Sequence, residues 1–270
     1  MTTPPPDNGL PQRLRAQQFI REGEQAVGRA WFRSLTRFLD RVRPAVTRDG
    51  GVDVGRVSDF SGFWSDEVDV QVVPVVGTVL GRAWRRVTGA GEPSADTWVS
   101  GYLNAAGNRM KNVPDEVYAL IVREIETGIR DGASIPEVAR AVQAVLTSTA
   151  TPYWPNRAVT VARTETIGAV NAGVFRAAEL DAEQRGDVAP AKVWIATDDK
   201  RTRPTHDAAD GQRTLLRSPF RVGGASLLFP GDPTGPAAEV INCRCSLLPV
   251  VLGEEIDWTN RQFRRTDDGA

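Results

Sequence analysis

Apolar residues recur at helical spacing through the first half of the chain, from Gln12 to about Leu146. The clearest case is segment 113–130, where four apolar residues follow one another at every fourth position: Val117, Ile121, Ile125 and Ile129. This pattern predicts an amphipathic helix with one apolar stripe. The Ser134-x-x-Glu137 spacing that follows predicts a capping box at the start of the next helix.

A third long helix is predicted from roughly residue 156 to residue 183. It carries Arg163 and Glu165, which point to different sides of the helix because they are two positions apart. Each of them therefore needs a partner from elsewhere in the fold. Small residues line one side of the same helix, where another backbone could pack closely: Ala158, Ala162, Ala169, Ala172 and Gly173.

The pattern changes after Gly186. Segment 192–197 alternates as a strand would, Gly and Pro become frequent between 204 and 236, and segment 241–251 returns to β-favouring residues. Residues 191–252 are therefore predicted to form a compact module of loops and short antiparallel strands. The predicted fold class is α+β, with a mainly helical N-terminal half followed by a small loop-rich antiparallel β-containing module.

These patterns divide the chain into a flexible arm at 1–10, a helical region at 11–133, a compact domain at 134–252 and a tail at 253–270. The formal net charge is −1, which gives no global electrostatic reason to bind nucleic acid. No apolar stretch is long enough to cross a bilayer, and the N-terminus lacks the pattern of a secretory signal. With two Cys, the chain is expected to fold in a reducing cytoplasm without disulfides.

The chain's only His and its only two Cys lie in the predicted module: His206, Cys243 and Cys245. On a strand, both thiols would face one way, and Asn242 and Arg244 would face the other. Three interpretations of this set remain open, and they concern a metal site, a disulfide and a purely structural role.

In the metal interpretation, His206 and the two thiols bind zinc, which suits thiolate and imidazole ligands, with Asp210 or Asp199 as the fourth ligand. The Cys-x-Cys spacing is shorter than the usual spacing of structural zinc sites. A disulfide between neighbours two apart would be strained. In the structural interpretation, which is favoured, the Cys are small buried hydrophobes and His206 bonds a backbone group or a carboxylate.

A metal-dependent nuclease is the alternative function. His206 would be its base, and nearby carboxylates would hold magnesium: Asp198, Asp199, Asp207 and Asp210. The expected second His or Lys-bearing motif is missing, and so are a Ser-His-Asp order, a Walker loop and a Rossmann fingerprint. No catalytic residue is therefore assigned.

Several motifs follow one another in a distinctive order between residues 135 and 250: Ala162-Arg-Thr-Glu-Thr166, Lys192-Val-Trp194, Asp199 to His206, Asp210-Gly-Gln212, Pro230-Gly-Asp-Pro233 and Ile241-Asn-Cys-Arg-Cys245. This ordered set resembles the phage Mu F-like domain, also described as the SPP1-type head-morphogenesis domain, of minor head proteins in tailed phages. The family's motif residues correspond to Arg163, Glu165, Trp194, Asp199, His206, Asp210, Gly211, Asn242, Cys243, Arg244 and Cys245. The resemblance implies that they define the fold first and act as ligands second.

The resemblance further implies a structural virion protein rather than an enzyme. Such a minor head protein lies inside the capsid near the portal, is assembled in the host cytoplasm, and supports head morphogenesis, DNA packaging or ejection. Its expected partners are the portal protein and the major capsid or scaffolding proteins, with transient contact to phage DNA and none to a membrane. The helical region is the expected portal-contacting part. About twenty residues follow Val251, so no appended effector domain is expected.

Overall fold

A computed structural model describes residues 12–48, 50–89, 96–186, 190–197 and 199–251. Helices dominate up to residue 185, and short antiparallel strands and loops follow, which confirms the predicted α+β class. The predicted arm and the predicted tail lie outside the described residues. Within the described part of the chain, no helix is both long enough and apolar enough to cross a membrane.

The helices are α1 (Gln12–Val46), a 3₁₀ helix (Val54–Phe60), α2 (Ser61–Glu67), a π-helical turn (Val68–Val72), α3 (Val73–Thr88), α4 (Thr97–Met110), α5 (Val113–Arg130), α6 (Ile135–Val145), α7 (Tyr153–Arg185), α8 (Pro204–Ala208) and α9 (Ala237–Val240). The strands are β1 (Pro190–Ile195), β2 (Arg213–Leu215), β3 (Phe220–Val222), β4 (Ala225–Leu227) and β5 (Ser246–Val251). An antiparallel sheet has the order β2-β1-β5, and β3 and β4 form a separate antiparallel pair.

The described residues form two compact units that are interleaved along the chain. Within the described residues, the first unit draws on the chain up to residue 25, on the part between 76 and 103 and on the part after 161, and the second on 26–75 and 104–161. Both halves of the sequence contribute to each unit. The compact units therefore do not follow the predicted boundary between the helical region and the module.

Trp64 organises the core of the second unit. Its ring meets Trp31 edge-on with the ring centroids 6.1 Å apart, and it meets Phe38 with the centroids 5.4 Å apart. Its indole Nε1 donates a 2.8 Å hydrogen bond to the Met110 carbonyl. Because a buried indole N–H is costly without an acceptor, this bond lets one large side chain join α1, α2 and α4.

The predicted apolar stripe of α5 leaves the core before the helix ends. Val117 and Ile121 are fully buried, Ile125 is partly buried, and Ile129 is 73% exposed. A step of four residues advances about 40° beyond a full turn. Three such steps rotate the stripe by about 120°, so its last member faces away from the helices that its first member contacts.

The capping box predicted at the start of α6 is present. The backbone amide and the hydroxyl of Ser134 donate to the Glu137 carboxylate at 2.7 and 2.6 Å. This contact supplies a partner for an amide at the helix start, where no intrahelical acceptor is available. A signal that spans only four residues therefore predicted this helix start correctly.

α7 passes close to α3 in the first unit. A Cβ atom at Gly173 would lie 2.6 Å from the Leu80 carbonyl oxygen and 3.1 Å from the Ala83 Cβ. The backbone of α3 therefore approaches α7 more closely than any side chain at this position would allow. The small-residue side predicted for this helix is used for close packing at Gly173.

β1 is buried on both faces, although its sequence alternates. It lies between β2 and β5, and even Lys192 is 0% exposed. The Lys192 ammonium donates a 2.7 Å hydrogen bond to the Leu228 carbonyl and lies 4.9 Å from the ring centroids of both Phe175 and Phe220. Burial lowers the pKa of Lys192 to about 8, against smaller opposing effects of two nearby carboxylates.

Replacing Gly173 with Ala should destabilise the protein by about 1–3 kcal/mol, because the added methyl group would push the α3 backbone away. The matched control is Gly101→Ala in α4, where nothing lies within 4 Å of the added Cβ. That change should stabilise the protein by about 0.5–1 kcal/mol, since Ala loses less backbone entropy in a helix. Urea unfolding measures both values, and equal effects of the two changes would contradict the close packing.

Replacing Lys192 with Met should change how stability depends on pH. The folded-state pKa of Lys192 is about 8, whereas that of an unfolded lysine is about 10.4. The cost of burying the charge is complete below pH 8 and disappears as the pH rises toward 10.4. The wild type should therefore gain about 2–3 kcal/mol relative to Lys192→Met between pH 7 and pH 10. Urea unfolding at both pH values checks this, and a constant difference would contradict it.

Candidate functional site

His206 lies at the centre of a buried cluster in the first unit. Its Nδ1 is 3.3 Å from the Cys245 Sγ and 3.7 Å from the Cys243 Sγ. Its Nε2 is 3.1 Å from the Glu239 Oε2. All four residues are buried, with at most 8% of any of them exposed. The structure thus brings together the three residues that the sequence singled out, although up to 39 positions separate them.

Aromatic rings pack against one side of this cluster. The indole ring of Trp194 on β1 meets the His206 ring edge-on with the centroids 5.4 Å apart. Phe220 on β3 meets the same indole from another direction, also with the centroids 5.4 Å apart. These contacts fix the plane of the imidazole, so Trp194 acts as a packing residue of the site.

Glu239 is the site residue that the sequence analysis missed. The Thr205 hydroxyl donates a 2.8 Å bond to the Glu239 Oε2, which also faces His206. Gly223 makes room for the carboxylate, because a Cβ there would lie 2.1 Å from the Glu239 Oε1. The signal in the sequence was a carboxylate four positions before Cys243, but no spacing rule links such a residue to a distant His.

The segment that carries the two thiols is held by α7. The Thr164 Oγ1 accepts a 3.0 Å bond from the Asn242 amide. The buried Asn171 side chain donates to the Cys245 carbonyl at 3.0 Å and accepts from the Leu247 amide at 3.0 Å. Asn171 was not singled out from the sequence either, since its partners lie 59 to 76 positions away.

The predicted strand at 241–251 begins only at Ser246, so the strand prediction is wrong for its first five residues. Asn242 has a φ of +59°, and this left-handed conformation interrupts the extended chain. Both thiols nevertheless reach the buried cluster, while Asn242 and Arg244 point to other partners. Both Cys are free thiols.

Arg163 finds its partners outside its own helix, as the sequence predicted. Its Nε lies 3.6 Å from the Glu24 Oε1, and its Nη1 donates a 3.3 Å bond to the Asn242 Oδ1. Glu165 is buried on the same helix. Arg163 therefore supports the turn before Cys243 from one side, while Thr164 supports it from another.

Neither of the predicted fourth ligands joins the cluster. Asp199 accepts hydrogen bonds from both terminal nitrogens of Arg244, and the bond from Nη2 is 2.7 Å long. It also accepts a 2.8 Å bond from the Arg201 amide. The Asp210 Oδ1 accepts the Ala196 amide at 2.9 Å. Both carboxylates therefore hold loops in place, and the expectation that one of them completes a metal site is not met.

The remaining acidic residues of the nuclease interpretation do not surround His206 either. Asp207 is exposed, and Asp198 lies outside the described residues. The Gly211 amide donates a 2.9 Å bond to the Trp194 carbonyl. With a φ of +76° at Gly211, the Asp210-Gly211 pair forms the turn that the sequence suggested.

Three side chains of the cluster are of the kind that binds soft metal ions. One ligand atom each from His206, Cys243 and Cys245 lies within 4.8 Å of the others, and these three make up the whole group among the described residues. The hydrogen bond between the thiols lowers the pKa of Cys243, whereas the same bond and burial raise the pKa of Cys245 well above its usual value. Such a set can share protons internally or bind one soft cation.

Replacing Asp199 with Asn should destabilise the protein by about 1.5–3 kcal/mol at pH 7, because hydrogen bonds between charged partners are lost. The bond from Arg244 holds the pKa of Asp199 well below its usual range. The pair's contribution is therefore complete above the unfolded-state pKa of about 3.9 and is lost as the pH falls below it.

Urea unfolding at pH 7, 5 and 3 measures this difference, with Asp207→Asn as the matched control. Asp207 is exposed on α8, so its change should stay within about 0.5 kcal/mol. If the effect of Asp199→Asn grew between pH 5 and pH 3, the assigned ion pair would be wrong.

Comparisons with known proteins extend the picture beyond the geometry. The chain is 32% identical over 145 residues to the NAD(+)--arginine ADP-ribosyltransferase EFV of Enterococcus faecalis, which covers 54% of this chain and 28% of that protein. It is 23% identical over 264 residues to the uncharacterized protein YqbB of Bacillus subtilis, covering 90% of this chain and 82% of that protein. The chain thus spans just over a quarter of the first relative. No solved structure matches it.

The model of one protein family matches the segment that contains the site. The match runs over residues 119–248, and the family is described as phage Mu protein F like protein. It includes every site residue from Arg163 to Cys245, and it begins earlier than the 135–250 range in which the motifs were found. The chain therefore has, over residues 119–248, a domain of the phage Mu protein F-like family of phage head proteins.

Proposed function

We propose that this protein is a minor head protein that binds the portal inside the phage capsid and supports head morphogenesis, DNA packaging or ejection. The family match over residues 119–248 is the observation that carries the proposal. The proposed partners are the portal protein and the major capsid or scaffolding proteins, with transient contact to phage DNA. The proposed location is the virion, after assembly in the host cytoplasm.

A non-enzymatic role fits the geometry of His206 better than a nuclease does. A general base must reach a substrate proton within hydrogen-bond distance. Both ring nitrogens of His206 face buried protein groups, namely the two thiols and Glu239. The transferase name belongs to a relative of which this chain covers 28%, so it does not outweigh the family match.

An apolar strip on α5 offers a surface for the portal contact. Tyr118 and Ile129 are 49% and 73% exposed. They are eleven positions apart, which places them on the same side of the helix, about 20° from one another. Val122 and Ile125 lie between them and are half-buried. A contiguous row of exposed and half-buried apolar residues is typical of protein contact sites, and the strip lies within the region expected to contact the portal.

Replacing Ile129 with Asp should reduce co-purification with the portal protein of the same phage by about tenfold or more, because a charge would enter an apolar contact. The fold should survive, since Ile129 contributes little buried surface. The matched control is Val70→Asp, which changes a 65% exposed aliphatic residue of the same compact unit.

The measurement is pull-down of portal by the tagged full-length chain, with circular dichroism of each variant. Equal loss in both variants would contradict the assignment of the strip. The function itself is tested in the phage, where deleting the gene should give defective heads. Infectious particles assembled normally without the chain, together with no recovery of portal by the wild type, would overturn the proposed function.

A further inference from the structure

We propose that His206, Cys243 and Cys245 bind a single zinc ion through the imidazole Nδ1 and the two Sγ atoms. The proposed role in the head assigns no metal ligands, so the zinc site does not depend on that role. The ion would lock together α8 and the segment before β5, and its three protein ligands are buried.

The two nitrogen–sulfur distances are close to those of a tetrahedral site. Zinc–sulfur bonds of about 2.3 Å and zinc–nitrogen bonds of about 2.05 Å at tetrahedral angles separate a sulfur and a nitrogen ligand by about 3.6 Å. The two observed Nδ1–Sγ distances are 3.3 and 3.7 Å, one on either side of this value. All three ligand atoms also lie within 4.8 Å of one another. A cation bound by all three atoms is therefore compatible with both nitrogen–sulfur distances.

A hydrogen-bond network without metal is the alternative, and it needs the bond between the two thiols as well as the bond to His206. The Nδ1 of a neutral imidazole has one lone pair, so it accepts one thiol proton and not two. Two sulfur atoms nevertheless converge on this nitrogen. One soft cation would satisfy both sulfurs and the nitrogen at once, and the thiol protons would leave to solvent as it binds.

The surroundings of His206 are also those of a metal-bound imidazole. A histidine that binds a metal through one nitrogen usually donates its other N–H to a carboxylate, which sets the tautomer and the ring orientation. Glu239 takes this position at Nε2, and Thr205 in turn fixes the carboxylate. The space at Gly223 allows Glu239 to approach. The carboxylate therefore acts as a positioning residue for the ligand.

The short Cys-x-Cys spacing is compatible with this site because distant residues position the thiols. In common zinc sites, a turn between paired Cys brings their sulfurs together. Here Thr164 holds the Asn242 amide and Asn171 holds the Cys245 carbonyl, so that α7 fixes both ends of the segment. The left-handed conformation of Asn242 then directs the chain into the cluster.

The test begins with the wild-type full-length chain, produced with zinc in the medium and purified in reductant. Elemental analysis should find about one zinc per chain, and a strong chelator should release the zinc and make both buried thiols reactive toward an alkylating reagent. Cobalt added to the metal-free protein should give the absorption of a cobalt–thiolate centre. Folded wild-type protein that contains no zinc and takes up neither metal would overturn the proposal.

Variants separate ligands from neighbours. Cys243→Ser and Cys245→Ser should each lose stoichiometric zinc, whereas Asp210→Asn, which changes a carboxylate outside the ligand group, should retain it. Glu239→Gln should keep the metal but weaken its affinity by about 10- to 100-fold. Full zinc content in both Cys variants would overturn the ligand assignment. If the Cys variants do not fold, the chelator and cobalt measurements on the wild type decide.

Discussion

The buried side chain of Asn171 is the interaction on which the first compact unit depends. Its Nδ2 donates to the carbonyls of Pro230 and Cys245, and its Oδ1 accepts from the Leu247 amide. One side chain on α7 thus satisfies three backbone groups from two separate segments, each of which would cost about 1–3 kcal/mol if buried without a partner. Because Cys245 is among them, the same contact fixes a thiol beneath His206 and sets the start of β5.

The His206 cluster also holds the Cys-containing segment in place, as Asn171 does. It joins β1, α8, α9 and the Cys-containing segment through side chains whose contacts are almost entirely buried. Strands of three residues, such as β2, β3 and β4, supply little apolar surface of their own. Buried polar contacts and thiols therefore stabilise this part of the protein, whereas a larger hydrophobic core stabilises bigger domains.

The sequence predicted features whose causes are local. The start of α6 depends on Ser134 and Glu137, three positions apart, and it was predicted correctly. Glu239 could not be found in this way, because its partner His206 is 33 positions away. The burial of Lys192 follows from the position of β1 between two other strands, which is a property of sheet order. Likewise, the left-handed conformation of Asn242 delays the start of β5, and nothing in the run of β-favouring residues indicates this conformation.

The interleaving of the two compact units limits how the gene can be exchanged. Trp98 and Tyr102 of α4 pack with Phe175 and Phe229, although the chain between α4 and α7 belongs mainly to the other unit. A contiguous fragment that contained only the later partners would leave these rings exposed and prone to aggregation. Recombination between phage genomes swaps contiguous stretches of DNA. A crossover between α4 and α7 would therefore yield a folded hybrid only when the aromatic residues of α4 from one parent are compatible with Phe175 and Phe229 from the other.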